Sequence, residues 1–171
     1  MTNEEKSFLD CWRLRVRIAQ SAHYNYAGTL KRRHIQLGLP VVILTTIVGT
    51  SVFSSLSNEP SQLVIIIIGL ISIASASLAS LQTFLDFSGR SEKHRIAAVS
   101  LSALKKKIEA EIIMDNKEGS LLHEFIELIL SDWTKINSDC PLPPEKVYKK
   151  AFNDLNGKNC FNETIESNKQ A

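Results

Sequence analysis

Two long uncharged stretches decide the fold of this chain: LGLPVVILTTIVGTSVFSSL at residues 37–56 and PSQLVIIIIGLISIASASLASLQTFL at residues 60–85. The first belongs to an uncharged run over residues 35–57, and only Asn58 and Glu59 separate it from the second. Each run exceeds the ~20 residues with which a helix crosses a hydrocarbon core about 30 Å thick. We therefore predict a hairpin of two transmembrane helices, residues 35–57 and 61–85, joined by an external turn at 58–60.

A helix is the only spanning form open to segments of this length, because a chain this short cannot close a barrel of strands. Unpaired strands would leave backbone N–H and C=O groups without partners in lipid. The alternative is a soluble protein with two buried helices, but such helices are usually shorter, and 171 residues leave little chain to cover them. The mean hydropathy of -0.03 conceals the hairpin because it averages an apolar middle with polar flanks.

The placement of charge predicts the orientation of the hairpin. All 20 Lys and Arg residues lie outside it, seven before residue 34 and thirteen from Arg90 onward, whereas the turn carries only Glu59. Positively charged flanks stay on the cytoplasmic side. The first 30 residues contain no apolar segment typical of a cleavable signal peptide. We expect a multi-pass protein of the bacterial inner membrane with both termini in the cytoplasm.

The flanks have the periodicity of amphipathic helices. Residues 1–34 read as an N-terminal helix that runs into the first span, and residues 86–155 as a cytoplasmic helical region. Apolar side chains recur every three or four residues on two stripes of that region: Ala97, Leu101, Leu104, Ile108 and Ile112, then Leu122, Phe125, Ile126, Ile129, Trp133 and Ile136. Residues 156–171 are polar and predicted to be disordered. The fold class is an all-α membrane protein, with the cytoplasmic helices forming a bundle.

Small and hydroxyl-bearing residues follow both spans and are the candidates for helix packing or for lining a pore. Small faces let helix backbones approach closely, which drives association in lipid. One interpretation is that they only hold the hairpin together, and the other is that several hairpins assemble around a polar path. The candidates are Thr46, Gly49, Thr50, Gly69, Ser72, Ala76, Ser80 and Thr83.

Two polar residues at the end of the second span, Gln82 and Asp86, would form rings at the cytoplasmic mouth of such an assembly, or Asp86 is merely solvated beyond the span. An acidic ring would favour cations. Cationic side chains next to the spans are expected to anchor them at the membrane surface. These are Lys31, Arg32, Arg33, Arg90, Lys93 and Arg95.

The sequence offers little for catalysis. It contains no Walker A loop and no GxGxxG, HExxH or GxSxG motif. His94 could approach His34, but two histidines without a third ligand make a weak metal site. The three cysteines, Cys11, Cys140 and Cys160, are expected to be reduced thiols without a structural role. We expect no enzyme, no catalytic residues, no cofactor and no metal.

Short motifs at the span junctions resemble the SLATT family over about residues 8–135. The motifs are SAHYNYA at 21–27, KRRH at 31–34, GLP at 38–40, VGTSVF at 48–53, ASLQTFLDF at 79–87 and EKHR at 92–95. SLATT proteins are bacterial two-transmembrane effectors found beside nucleotide second-messenger synthases, nucleotide-sensing domains or reverse transcriptases in conflict systems.

The resemblance implies a homo-oligomeric effector that opens a pore and depolarises an infected cell, an abortive-infection form of antiviral defence. It also implies a defence-system partner, which would be a synthase, a sensor or a reverse transcriptase, since the chain has no separate sensor domain. Direct nucleotide binding has no support in the sequence. The alternative is a non-conducting membrane scaffold or regulatory subunit that docks a soluble partner.

Overall fold

The computed structural model describes residues 2–55, 61–114 and 119–155, and 94% of it is helical. Five helices follow one another along the chain: α1 (Asn3–Ser55), α2 (Gln62–Leu85), α3 (Phe87–Met114), α4 (Gly119–Asp139) and α5 (Glu145–Asp154). No strand occurs in these ranges. The predicted turn at 58–60 and the predicted disordered tail at 156–171 lie outside the described residues. The prediction of an all-α, two-helix membrane protein is confirmed.

The chain divides into two compact units. The hairpin unit, residues 29–90, contains the second half of α1, all of α2 and the start of α3. The bundle unit contains the first 28 residues and the chain from Ser91 onward. Helix α1 is unbroken, so the predicted boundary between residues 34 and 35 lies inside it. Pro40 stands within this helix.

In the hairpin unit, α2 and α3 are separated by one residue. Asp86 adopts a left-handed conformation, with φ 39° and ψ 49°. Its carboxylate Oδ1 accepts a hydrogen bond from the Gly89 N–H at 3.0 Å. Asp86 thus ends α2 and caps the first turn of α3, which satisfies a backbone donor that the new helix would otherwise leave free.

In the bundle unit, a hydrophobic core joins the early part of α1 to α3 and α4. Its members are Leu9, Val16, Ala19, Leu101, Leu104, Ile108, Leu122 and Ile129. The rings of Trp12 and Trp133 meet edge to face against it, 6.1 Å between centroids. Helix α5 contributes to a second hydrophobic cluster, in which Ala151 packs with Ile18 and Ala22 of α1. Burial of each large aliphatic side chain stabilises such a core by about 1.5–3 kcal/mol.

Candidate functional site

A groove of small residues runs between α1 and α2 in the hairpin unit. The volume of this open groove is about 330 Å³. Its walls come from Thr45, Val48 and Gly49 on α1 and from Ser72, Ser75, Ala76 and Ala79 on α2. The side chains on both helices are short, so the groove remains open where longer ones would fill it.

The structure brings three of the sequence candidates into this groove: Gly49, Ser72 and Ala76. The other five lie on exposed faces of the two helices. These are Thr46, Thr50, Gly69, Ser80 and Thr83. Four further groove residues were not among the candidates: Thr45, Val48, Ser75 and Ala79. Thr45, Ser75 and Ala79 belong to the same run of small and hydroxyl-bearing residues as the candidates. Sequence could not single them out, because it does not say which face of α1 meets α2.

Hydroxyl groups along both helices donate hydrogen bonds to backbone carbonyls of the preceding turn. Thr46 donates to the Val42 carbonyl at 2.8 Å, and Ser80 donates to the Ala76 carbonyl at 2.9 Å. Such bonds satisfy a polar group without water, as a lipid environment requires. The same pattern holds for Thr45, Thr50, Ser51, Ser72, Ser77 and Thr83.

Ser75 departs from this pattern. Its hydroxyl is buried in the groove and finds no hydrogen-bond partner in the described part of the chain. A buried hydroxyl without a partner costs about 1–3 kcal/mol. The groove therefore contains one polar group that the single chain does not satisfy.

The outer surface of the hairpin is apolar. In the most apolar 18-residue stretch of α1, 0% of the residues are buried, and in that of α2 only 6% are. Phe84 is 85% exposed, Phe53 74% and Leu63 69%. A core helix of a soluble protein would bury these side chains, so the exposed apolar surface suits two spans surrounded by lipid.

The two residues predicted for a cytoplasmic mouth have contacts within the hairpin unit. Gln82 lies against Gly38 of α1 so closely that a Cβ atom added to Gly38 would stand 3.0 Å from its Nε2. Asp86 is exposed and caps α3, as described above. The rings proposed for an assembly of several chains stay a prediction.

The six predicted surface anchors are all exposed. Lys31, Arg32, Arg33 and Arg90 belong to the hairpin unit, whereas Lys93 and Arg95 belong to the bundle unit. Arg95 forms an ion pair with Glu92, with 2.6 Å between its Nη2 and the carboxylate Oε1. Its charge is therefore partly matched within α3.

A second cluster, in the bundle unit, was missed by the sequence analysis. His23 of α1, His94 of α3 and Cys140, the residue after α4, are each no more than 3% exposed. The two Nδ1 atoms lie 3.2 Å apart. The Cys140 Sγ lies 3.5 Å from Nδ1 of His94 and 3.9 Å from Nδ1 of His23. We call these three residues the His-His-Cys cluster.

The neighbouring contacts hold the cluster in place. The Ser91 hydroxyl donates a hydrogen bond to the Ala27 carbonyl at 2.9 Å, which ties α1 to α3 one turn from the two histidines. The ring of Tyr26 meets the His94 ring edge to face, 4.8 Å between centroids. The Cys140 Sγ also lies 3.5 Å from the Pro141 carbonyl oxygen.

Burial sets the charge state of the cluster. Burial, together with the smaller effect of the neighbouring His94 charge, lowers the pKa of His23 to about 4. Burial raises the pKa of the Cys140 thiol, while nearby Lys93 acts in the opposite direction. At neutral pH His23 is an uncharged imidazole, the form that can accept a hydrogen bond or bind a metal ion.

Cys140 is a free thiol, as expected. Its burial against two histidines contradicts the expectation that it has no structural role. Sequence spacing gives no distance between a sulfur and a ring, and so could not reveal this arrangement.

The fold and the hairpin define a class, that of all-α membrane proteins with two spanning helices and a helical bundle built from both flanks. Within this class, the sequence pattern of the SMODS and SLOG-associating 2TM effector domain family 4 matches residues 9–164. The chain belongs to this family of two-transmembrane effector domains of conflict systems. No curated protein and no solved structure matches it significantly. The resemblance to SLATT proteins is thereby confirmed.

Proposed function

We propose that this protein is a non-enzymatic defence effector that oligomerises through its hairpin and permeabilises or depolarises the bacterial inner membrane. Its activity kills or arrests the infected cell before a phage multiplies. Both termini lie in the cytoplasm, where a SMODS- or SLOG-type partner supplies the trigger. The observation that carries the proposal is the groove of small residues in an otherwise apolar, exposed hairpin.

The hairpin needs neighbours to conduct. Two helices cannot enclose a water-filled path, so ions cross only where several hairpins surround one. In lipid, association depends on close packing of small side chains and on hydrogen bonds between helices. The α1–α2 groove supplies both kinds of contact.

Two features of the groove leave room for another helix. A Cβ atom added to Gly49 would meet no atom within 4 Å, although Gly49 lines the groove. The Ser75 hydroxyl also indicates a missing neighbour, because it forms no hydrogen bond with any of the described residues. A helix from a second copy, or water in a pore, would provide the missing partner and recover the cost of burial.

Membrane potential in living cells tests the proposal. The full chain is expressed from an inducible promoter together with the neighbouring genes of its own locus, and the potential is followed with a voltage-sensitive dye during phage infection. We expect depolarisation in wild type. Ala76→Leu should abolish it, because the larger side chain fills the groove, whereas insertion into the membrane should stay normal.

Ala74→Leu is the matched control. Ala74 is on the same helix and exposed, but it does not line the groove. This variant should depolarise like wild type. A potential that stays unchanged in infected wild-type cells, or equal loss in both variants, would contradict a pore built on the groove.

A scaffold that docks a soluble partner is the second candidate function. It is favoured by apolar side chains that the bundle unit leaves exposed, among them Ile96 and Val99 of α3, 53% and 50% exposed. Under this alternative, wild type would hold its potential during infection while one partner co-purified with it. Substituting Ile96 and Val99 with serine would then release that partner, and Ala76→Leu would not.

A further inference from the structure

We propose that the His-His-Cys cluster is a metal site in which His23 Nδ1, His94 Nδ1 and Cys140 Sγ bind one transition-metal ion, Zn²⁺ by preference. The ion would join α1, α3 and the segment that follows α4. This inference goes beyond the membrane activity proposed above and does not depend on it.

The distances within the cluster match those between ligand atoms around one ion. With zinc–nitrogen bonds of 2.0–2.1 Å and a zinc–sulfur bond of 2.3 Å, tetrahedral geometry sets two nitrogens about 3.3–3.4 Å apart and a nitrogen and a sulfur about 3.5–3.6 Å apart. The structure has 3.2 Å between the nitrogens and 3.5 and 3.9 Å from them to the sulfur. Only the contact from Cys140 to His23 needs to shorten, by a few tenths of an ångström.

Three separate elements bring these atoms to one point inside the protein. His23 and His94 are each 2% exposed and Cys140 is 3% exposed. Both histidines turn the same ring nitrogen, Nδ1, toward the sulfur. Two nitrogens in contact can share only one proton, whereas an ion satisfies both nitrogens and the sulfur at once.

A cavity lies beside one of the three ligands, Cys140, and could supply a fourth. A cavity of about 210 Å³ reaches Cys140 and is also lined by Lys93, Ser100 and Asp139. Its volume admits water, and the Asp139 carboxylate belongs to its wall. Three protein ligands and one open position form the usual arrangement of a zinc ion that is not fully enclosed.

The ligand types select the metal class. A thiolate with two imidazoles suits a borderline ion such as Zn²⁺ and excludes Mg²⁺ and Ca²⁺, which prefer oxygen. Copper sites of this composition usually add an axial methionine. Met114 is the only methionine in the described part of the chain, and it is 68% exposed.

Metal analysis of the purified full chain tests the proposal directly. The protein carries an affinity tag without histidine, is solubilised in detergent under reducing conditions and is analysed by mass spectrometry for zinc, copper, nickel and iron. We expect close to one zinc ion per chain in wild type and less than about a tenth of that in Cys140→Ser, in which a weak ligand replaces the thiolate. His123→Gln is the control, because His123 is exposed and pairs with Glu127.

Cobalt substitution keeps the test independent of how well a variant folds. Wild-type protein stripped with a chelator and refilled with Co²⁺ should show the thiolate-to-cobalt charge-transfer band and the strong visible bands of a tetrahedral ion. The chelator should also lower the unfolding temperature of wild type and of His123→Gln, but not that of Cys140→Ser. Wild type that holds no metal and gives no charge-transfer band with Co²⁺ would overturn the proposal, since the three groups would then form hydrogen bonds only.

Discussion

Asp86 illustrates how a single residue sets the junction between two helices. The left-handed conformation at this position costs most side chains about 1–2 kcal/mol, but Asp and Asn tolerate it. The same side chain accepts the Gly89 N–H. In the sequence, Asp86 stands just beyond the second span, a position that suggests a role at a pore mouth. The cap could not be predicted, because a cap depends on backbone angles that the sequence of an apolar span does not reveal.

Replacement of Asp86 should therefore destabilise the junction. We expect Asp86→Ala to lower the free energy of unfolding by about 1–2 kcal/mol, because it removes the capping bond and retains the strained conformation. Asp86→Asn should stay within about 0.5 kcal/mol of wild type, because the amide oxygen caps as well as a carboxylate oxygen. Chemical unfolding in detergent micelles, followed by circular dichroism, measures both. Equal stability of the alanine variant and wild type would show that the cap contributes nothing.

The contact between His23 and His94 could not be predicted from the sequence, for a related reason. His94 lies three residues before Ala97 on the buried stripe of α3, and His23 lies four residues after Ala19 on the buried face of α1. Their position on apolar stripes was a signal that both are buried. The two residues are 71 positions apart in sequence, and their contact depends on the register of two helices, which periodicity does not give.

At the scale of helices, the sequence predicted the buried face of α3 well. Four of the five stripe residues on α3 are buried, namely Ala97, Leu101, Leu104 and Ile108. The buried face of α1 is harder to read from sequence, since Phe8 is 46% exposed while its neighbour Leu9 is fully buried. Apolar and charged residues alternate along this part of α1, so more than one face could be taken as the core side.

The contact between α1 and α2 at Gly38 gives a prediction for the hairpin. Gly38→Leu should destabilise it by about 1–3 kcal/mol, because the new side chain would overlap the Gln82 amide. Gly38→Leu combined with Gln82→Ala should recover most of that loss, since the obstacle is removed. Thermal unfolding in micelles measures the cycle.

Gly69→Leu is the control for this cycle. A Cβ atom at Gly69 would meet nothing within 4 Å, and the residue is exposed. The control should remain within about 0.5 kcal/mol of wild type, in line with surface substitutions elsewhere. If Gly38→Leu behaves like Gly69→Leu, the close approach at Gly38 does not hold the hairpin.

For the whole molecule, the charge distribution gives a prediction of topology. A fluorescent reporter that matures only in the cytoplasm should be active when fused to either terminus. An alkaline phosphatase placed in the predicted turn, residues 58–60, should be active outside. Lysines at positions 58 and 59 should reduce insertion in this orientation, because positive charge opposes translocation. A terminus accessible only from outside would contradict the orientation.

The hydroxyl groups of the two spans have a consequence for how a new copy of the protein inserts into the membrane. Since the hydroxyls described above, apart from that of Ser75, are already bonded to carbonyls of their own helix, we expect a newly made copy to enter the bilayer without a partner. Under the proposed function, membrane insertion would then precede the lethal step. We expect a cell to tolerate inserted single copies and to be harmed only when several copies assemble.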